Sequence, residues 1–427
     1  MAYPAAVDSW LRPSTQAPGI AALQRALLWA VGAGGAIVYI EPSPYEFATL
    51  AAIVVFFATG LRMRLAFLPL LLLLFLINIG YTISAVHLMD KTQIVNWIMT
   101  SWYMAVTVIF FALVFSEDTE ARLDLMRRGL IVGAVIASVA GVAGYFHLVP
   151  GEHDVLTLYG RARGTFKDPN VLSAFLILPA LFVLQSVVTD RFGKAFRSAI
   201  ALGIISLAVL LAFSRAAWGQ FVLTSAFMLV LMFLTSPSGK QRSRLVLTAV
   251  IAAAAIALLL AVLLSLDSVE SLFKERASFD QSYDGGRFGR FGRHILGFQM
   301  ALEQPLGIGP LQFTRFFPED THNSYLNAFM SGGWISGISY PVLIFTTVTL
   351  GFRYIFVRVP WQRTYLAVFA AFLGTVGESF IIDTDHWRHF WLMLGMMWGM
   401  FAATHQYRAD LRDTPAQPAR REGHLRG

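Results

Sequence analysis

Leu65-Ala-Phe-Leu-Pro-Leu-Leu-Leu-Leu-Leu-Phe-Leu-Ile-Asn-Ile-Gly-Tyr81 is apolar on every side. It alternates neither at the period of a strand nor at that of a half-buried helix. Such a run, close to 20 residues with its flanks, matches the roughly 30 Å of hydrocarbon in a bilayer. Lipid offers no hydrogen bonds to the backbone, so the run must be helical; a membrane β-barrel would alternate. Similar runs recur along all 427 residues, 56% of which are hydrophobic and 14% charged. A soluble chain carries about 25% charged residues. The pattern predicts an all-α polytopic membrane protein, residues 1–427 forming a single transmembrane domain. About twelve transmembrane helices are expected, near 22–40, 46–61, 65–83, 93–115, 129–149, 170–189, 197–213, 217–235, 245–266, 323–351, 364–382 and 390–405.

The absence of cysteine excludes disulfides, thiolate metal sites and a cysteine nucleophile. The polar N-terminus, with Pro4, Pro13 and Pro18, does not read as a cleavable signal peptide. Residues 408–427 read as a disordered cytoplasmic tail. No internal repeat is evident.

Lysine and arginine set the orientation. With the N- and C-termini inside, 21 of the 33 basic residues are cytoplasmic. Nine of the twelve outside residues fall in two loops, 150–169 and 267–322. The net charge of +7 therefore marks topology and two outward loops, not a nucleic-acid surface.

The first loop contains Tyr159-Gly-Arg161-Ala-Arg163-Gly-Thr-Phe-Lys167-Asp168-Pro169-Asn170. Arg161, Arg163 and Lys167 are placed to converge on phosphate oxygens, which the planar arginine fork pairs bidentately; lipid headgroups would draw them equally. Asp168 reads as a helix N-cap, with Pro169 at the first helical position. Arg215, in the turn Phe213-Ser214-Arg215, either snorkels or faces an outward cavity.

In the long loop, Arg287, Arg290 and Arg293 recur every third residue between Phe and Gly. An RNA-binding tract has this texture, but the orientation places it outside the cell. From Arg290 to Glu303 the pattern becomes an amphipathic interfacial helix, with Ile295, Phe298, Met300 and Leu302 as its apolar face. His322 stands at the start of the tenth span, with Asp320 or Thr321 as cap. The positive end of a helix disfavours an imidazolium, and neutral imidazole is what a general base needs; an interfacial histidine bonded to a loop is the alternative. Asp383-Thr-Asp385 and His386-x-x-His389 are short metal-like patterns, too weak to assign a metal. Glu378, inside the eleventh span, is either an intramembrane site or a helix-bound structural acid.

Arg161-Ala-Arg-Gly-Thr-Phe-Lys-Asp-Pro-Asn170, Ser214-Arg215, Pro305-x-Gly-x-Gly309 and His322-Asn-Ser-Tyr-Leu326 together resemble the O-antigen ligase/polymerase superfamily. The order of parts covers nearly the whole chain. The family pattern of His-Asn, nine residues and Gly-x-x-Gly is met by His322-Asn323 and Gly333, with the second glycine one place late, at Gly337. The resemblance implies a GT-C-type glycosyltransferase of the bacterial inner membrane, with its active site facing the periplasm and no metal or cofactor. The donor would be a glycan on undecaprenyl diphosphate. The acceptor would be lipid A–core for a ligase, another lipid-linked repeat for a polymerase, or a protein in a third branch.

On this reading Arg161, Arg163 and Arg215 hold the diphosphate with one or more of Arg287, Arg290 and Arg293. Lys167, Asn323 and Tyr325 are candidates for positioning. His322 and Arg215 carry the catalysis. One close arginine–phosphate pair contributes roughly 4 kcal/mol at an effective dielectric near 20, before desolvation. The rival from another class is a lipid-linked glycan transporter, which predicts inverted repeats and polar groups at the bilayer midplane.

Overall fold

The computed structural model describes residues 17–150, 153–277 and 285–413. Asp284, at the head of the arginine repeat, and residues 414–427 of the tail lie outside them. In chain order the first helices are α1 (Pro18–Gly34), α2 (Pro44–Ala58), α3 (Leu68–Ser84), α4 (Thr92–Phe115) and α5 (Thr119–Tyr145). A single turn, α6 (His153–Leu156), leads into a hairpin of β1 (Thr157–Leu158) and β2 (Arg161–Ala162). Then follow α7 (Pro169–Thr189), α8 (Phe192–Leu211), α9 (Arg215–Thr235) and α10 (Gly239–Leu263). The remaining helices are α11 (Asp267–Ala277), α12 (Arg290–Glu303), α13 (Ser324–Tyr354), α14 (Gln362–Glu378) and α15 (Arg388–Asp413).

Among the described residues, eight helices are long and apolar enough to cross a membrane: α3, with the short turn before it, α4, α5, α7, α8, α9, α10 and α13. The chain is thus a multi-pass membrane protein of the all-α class, with one short hairpin. Four further helices, α1, α2, α14 and α15, coincide with predicted spans but are shorter or more polar. α7 is the central post, with 89% of its apolar window buried, whereas α10 buries only 6% and turns almost its whole surface to the surroundings. α3 packs on α13, α1 on α5, α4 on α15 and α9 on α14.

Several helices extend beyond their predicted spans, α5 and α15 the furthest. α5 begins ten residues before 129, because its first turns are charged and escape a hydropathy reading. Asp124 pairs there with Arg127 and Arg128, both at 2.6 Å, in the (i, i+3) and (i, i+4) geometry that helices favour. α15 continues to Asp413, so the first residues of the expected disordered tail are helical.

The tenth span, read as continuous over 323–351, is broken. Gly332 and Gly333 leave helical geometry, and Gly333 has φ +62°. A break frees backbone groups that lipid cannot satisfy. The Pro305–Gly309 turn supplies partners: Ile308 and Gly309 donate to the Met330 carbonyl, and Trp334 donates to that of Pro305. Gly307, at φ +76°, approaches so closely that a Cβ would lie 2.6 Å from the Gly333 nitrogen. Ser336, where the family pattern has its second glycine, is buried and donates to the Ile77 carbonyl at 2.6 Å, tying α13 to α3.

Gly333→Ala should therefore destabilise the protein by about 1–3 kcal/mol, since a Cβ there meets backbone at positive φ. Thermal unfolding in detergent would show a lowered midpoint; an unchanged midpoint would mean that the break is not held as described.

Candidate functional site

The site is assembled from the first turn of α13. Asn323 is its N-cap, not Asp320 or Thr321: its side-chain oxygen accepts from the amides of Tyr325 at 3.1 Å and Leu326 at 3.0 Å. Its Nδ2 donates to the Phe380 carbonyl at 3.1 Å. Tyr325 is buried, and its hydroxyl donates to the Val376 carbonyl at 3.0 Å. These two of the three candidates for positioning thus brace α13 against the end of α14.

His322 lies just before the cap with φ +47°. A bulky residue rarely adopts this conformation unless its surroundings impose it. Here Asp383, between α14 and α15, imposes it. Its Oδ1 accepts from the Thr321 hydroxyl at 2.9 Å and the Asn323 amide at 3.0 Å. Its Oδ2 accepts from the His322 amide at 3.1 Å and lies 3.4 Å from His322 Nδ1. The His322 side chain remains 35% exposed. Burial pushes the neighbouring Asp320 carboxyl up from the usual range, and the nearby Asp383 adds to this.

Sequence reading paired Asp383 with Asp385, but the fold sends them to different tasks. Asp385 accepts from Asn327 at 2.9 Å and lies 3.2 Å from His386 Nδ1.

Asp383→Ala should release this loop and lower any activity that depends on His322 by at least about tenfold, given roughly 1.5–3 kcal/mol for a bond to a charged acceptor. Amide exchange at His322 and Asn323 reads the release directly. Parental exchange rates in the variant would dissociate Asp383 from the His322 loop.

α12 closes on the same loop. His294 Nε2 lies 2.9 Å from the Thr321 carbonyl, and burial chiefly lowers its pKa. Arg293 is only 2% exposed and pairs with Glu319 at 2.6 Å. Its other nitrogen donates to the Phe288 carbonyl at 2.9 Å. Ile295, Phe298 and Leu302 point outward, while Arg293, Gly297 and Ala301 are the buried residues. Arg290 opens the helix, and Arg287 lies over the Phe288 ring.

The other arginines arrive on the hairpin. Tyr159 and Gly160, both at positive φ, make its tight turn and place Arg161 on β2. Arg161 Nε donates to the Ala212 carbonyl at 2.7 Å and its terminal nitrogen to Asn170 at 2.8 Å. One side chain thereby fastens the hairpin to the start of α7 and to the α8–α9 turn that carries Arg215. Asp168 caps α7 as expected, accepting from the Asn170 amide at 2.7 Å.

Arg163 and Lys167 turn to the 39–41 segment. Arg163 covers the Tyr39 ring, and Lys167 pairs with Glu41 at 2.7 Å. Burial alone would raise the Glu41 pKa, but Lys167 and Arg388 outweigh it and leave it lowered.

A cleft of about 650 Å³ lies between α9 and α14. Arg215 and Glu378 line its polar end, and Leu223, Phe227 and Leu373 its apolar wall. Across the same stretch Ser324 donates to the Ser379 carbonyl at 2.9 Å, so the end of α14 joins the Arg215 cleft to the His322 loop. Glu378 is 4% exposed, and its Oε1 has no hydrogen-bond partner among the described residues. With the Gln220 amide nitrogen turned toward it, Oε2 accepts at 2.9 Å. An acid inside an apolar run was the only sequence signal for this residue.

The fold defines a multi-pass helical membrane protein. Residues 200–340 match the family model for O-antigen ligase, a stretch holding both Arg215 and His322, and the match supports the O-antigen ligase-like superfamily. The ligases and polymerases of that family are membrane glycosyltransferase-like enzymes. No curated protein matches the chain.

Proposed function

We propose that the protein is an inverting, metal-independent glycosyltransferase of the bacterial inner membrane, with twelve spans in a GT-C-type arrangement. It would move a glycan from undecaprenyl diphosphate to a sugar hydroxyl of lipid A–core at the periplasmic face. The observation that carries this reading is the α9–α14 cleft. Its apolar wall of Leu223, Phe227 and Leu373 ends at Arg215. An isoprenoid chain with a diphosphate head has the same division into a long apolar part and an anionic end.

Arg161 and Arg215 flank one turn and would hold the diphosphate. Arg290, whose charge reaches His294 beside the His322 loop, is the long-loop arginine best placed to assist; Arg163 covers the Tyr39 ring and Arg287 the Phe288 ring. Arg293 would act through Glu319, by holding α12 in position. His322 Nδ1, turned to Asp383, would keep its proton, leaving Nε2 to take one from the acceptor hydroxyl. The acceptor oxygen then attacks the anomeric carbon from the face opposite the diphosphate. The carbon–oxygen bond to the diphosphate breaks, and its electron pair leaves with undecaprenyl diphosphate. The arginines meet the charge that grows there.

Purified protein in vesicles should transfer glycan from lipid-linked repeats when lipid A–core is present. Chain growth without core would make it a polymerase instead. Passage of the lipid-linked glycan across the vesicle membrane with no new glycosidic bond would overturn both.

A further inference from the structure

The end of the bundle opposite His322 holds a second cavity, of about 690 Å³, between α7, α9, α10 and the loop from α13 to α14. Arg244, Arg358 and Arg363 line it together with Val188, Met232 and Leu245. Arg358 and Arg363 are exposed, and among the described residues none of the three makes an ion pair. Arg244 donates to the Asp190 carbonyl, which directs its guanidinium without neutralising it. Glu120 is the one acidic residue on the wall.

A neighbouring cavity of about 580 Å³ shares Glu120 and Arg363 but adds Asp118, Asp124 and Asp190. Its charges are mixed and do not favour an anion. The arginine cavity differs in a second way: α10, which forms one side of it, is almost unburied. The cavity therefore opens beside a helix that faces lipid, and its apolar wall continues from the guanidinium groups.

We propose that this cavity binds an anionic phospholipid of the leaflet opposite the transfer site, the cytoplasmic leaflet in the orientation drawn from charge. The phosphate sits among Arg244, Arg358 and Arg363, and the first part of an acyl chain lies on Met232 and Leu245. Basic residues that only enforced topology would need no shared cavity; these three converge on one. The site is independent of the transfer reaction.

Native mass spectrometry of protein exchanged into defined lipid tests this. The parent should retain phosphatidylglycerol in preference to phosphatidylcholine. The triple variant R244Q/R358Q/R363Q should lose this preference, by up to about a hundredfold in affinity at roughly fivefold per charge. The triple lysine variant, which keeps the charge, should retain most of it and guards against a folding defect. Equal retention by the parent and the glutamine variant would overturn the proposal. So would displacement of the lipid by millimolar inorganic phosphate, which would identify a site for a free anion.

Discussion

His322→Ala is expected to abolish glycan transfer, a fall of about 10²–10⁴-fold for loss of a general base, while the protein still inserts and unfolds at close to its parental temperature. The two halves of this expectation have separate causes. The imidazole is partly exposed and fills no core. The His322 backbone amide would still donate to Asp383, so the loop keeps its anchors. Only the group at the end of the side chain is lost. Transfer assays on purified protein, paired with a thermal scan, separate the outcomes. Retained transfer at parental stability would remove His322 from the mechanism.

Arg215→Ala should lower transfer by about 10²–10³-fold, the usual cost of deleting one donor aimed at developing charge. The position explains the size. Arg215 is the first residue of α9, whose N-terminal dipole favours an anion, and it sits at one end of the cleft's apolar wall. Arg215→Lys should recover only part of the loss, since an ammonium keeps the charge without the planar fork. Binding of the donor lipid to the alanine variant should weaken in parallel. A variant with parental transfer would show that Arg215 merely snorkels.

The membrane-spanning architecture was legible because hydropathy does not depend on neighbours. Runs such as Leu65–Tyr81 and 249–263 are apolar on every face, so no tertiary knowledge was needed. The break at Gly332–Gly333 was not legible. A helix in lipid opens only where another segment satisfies its backbone, and that segment, Pro305–Gly309, lies more than twenty residues upstream. The same holds for Asp383. Its spacing to Asp385 invited a metal pattern, whereas its partner is a loop some sixty residues earlier. Arg293 shows the limit of charge counting. Its three-residue rhythm with Arg287 and Arg290 grouped it with the anion binders, but α12 turns residue 293 inward to Glu319. What could be read was that charge concentrated in two loops; the fold then joined Arg161 to the turn of Arg215 and α12 to the loop of His322.

The most direct test of a donor site formed by α9, α14 and the His322 loop is photo-crosslinking with a polyprenyl diphosphate bearing a diazirine on its isoprenoid chain, mapped by mass spectrometry. Adducts on residues 219–227 and 370–381, reduced in Arg215→Ala, are the predicted result. Adducts confined to the opposite end of the bundle, unaffected by that substitution, would contradict it.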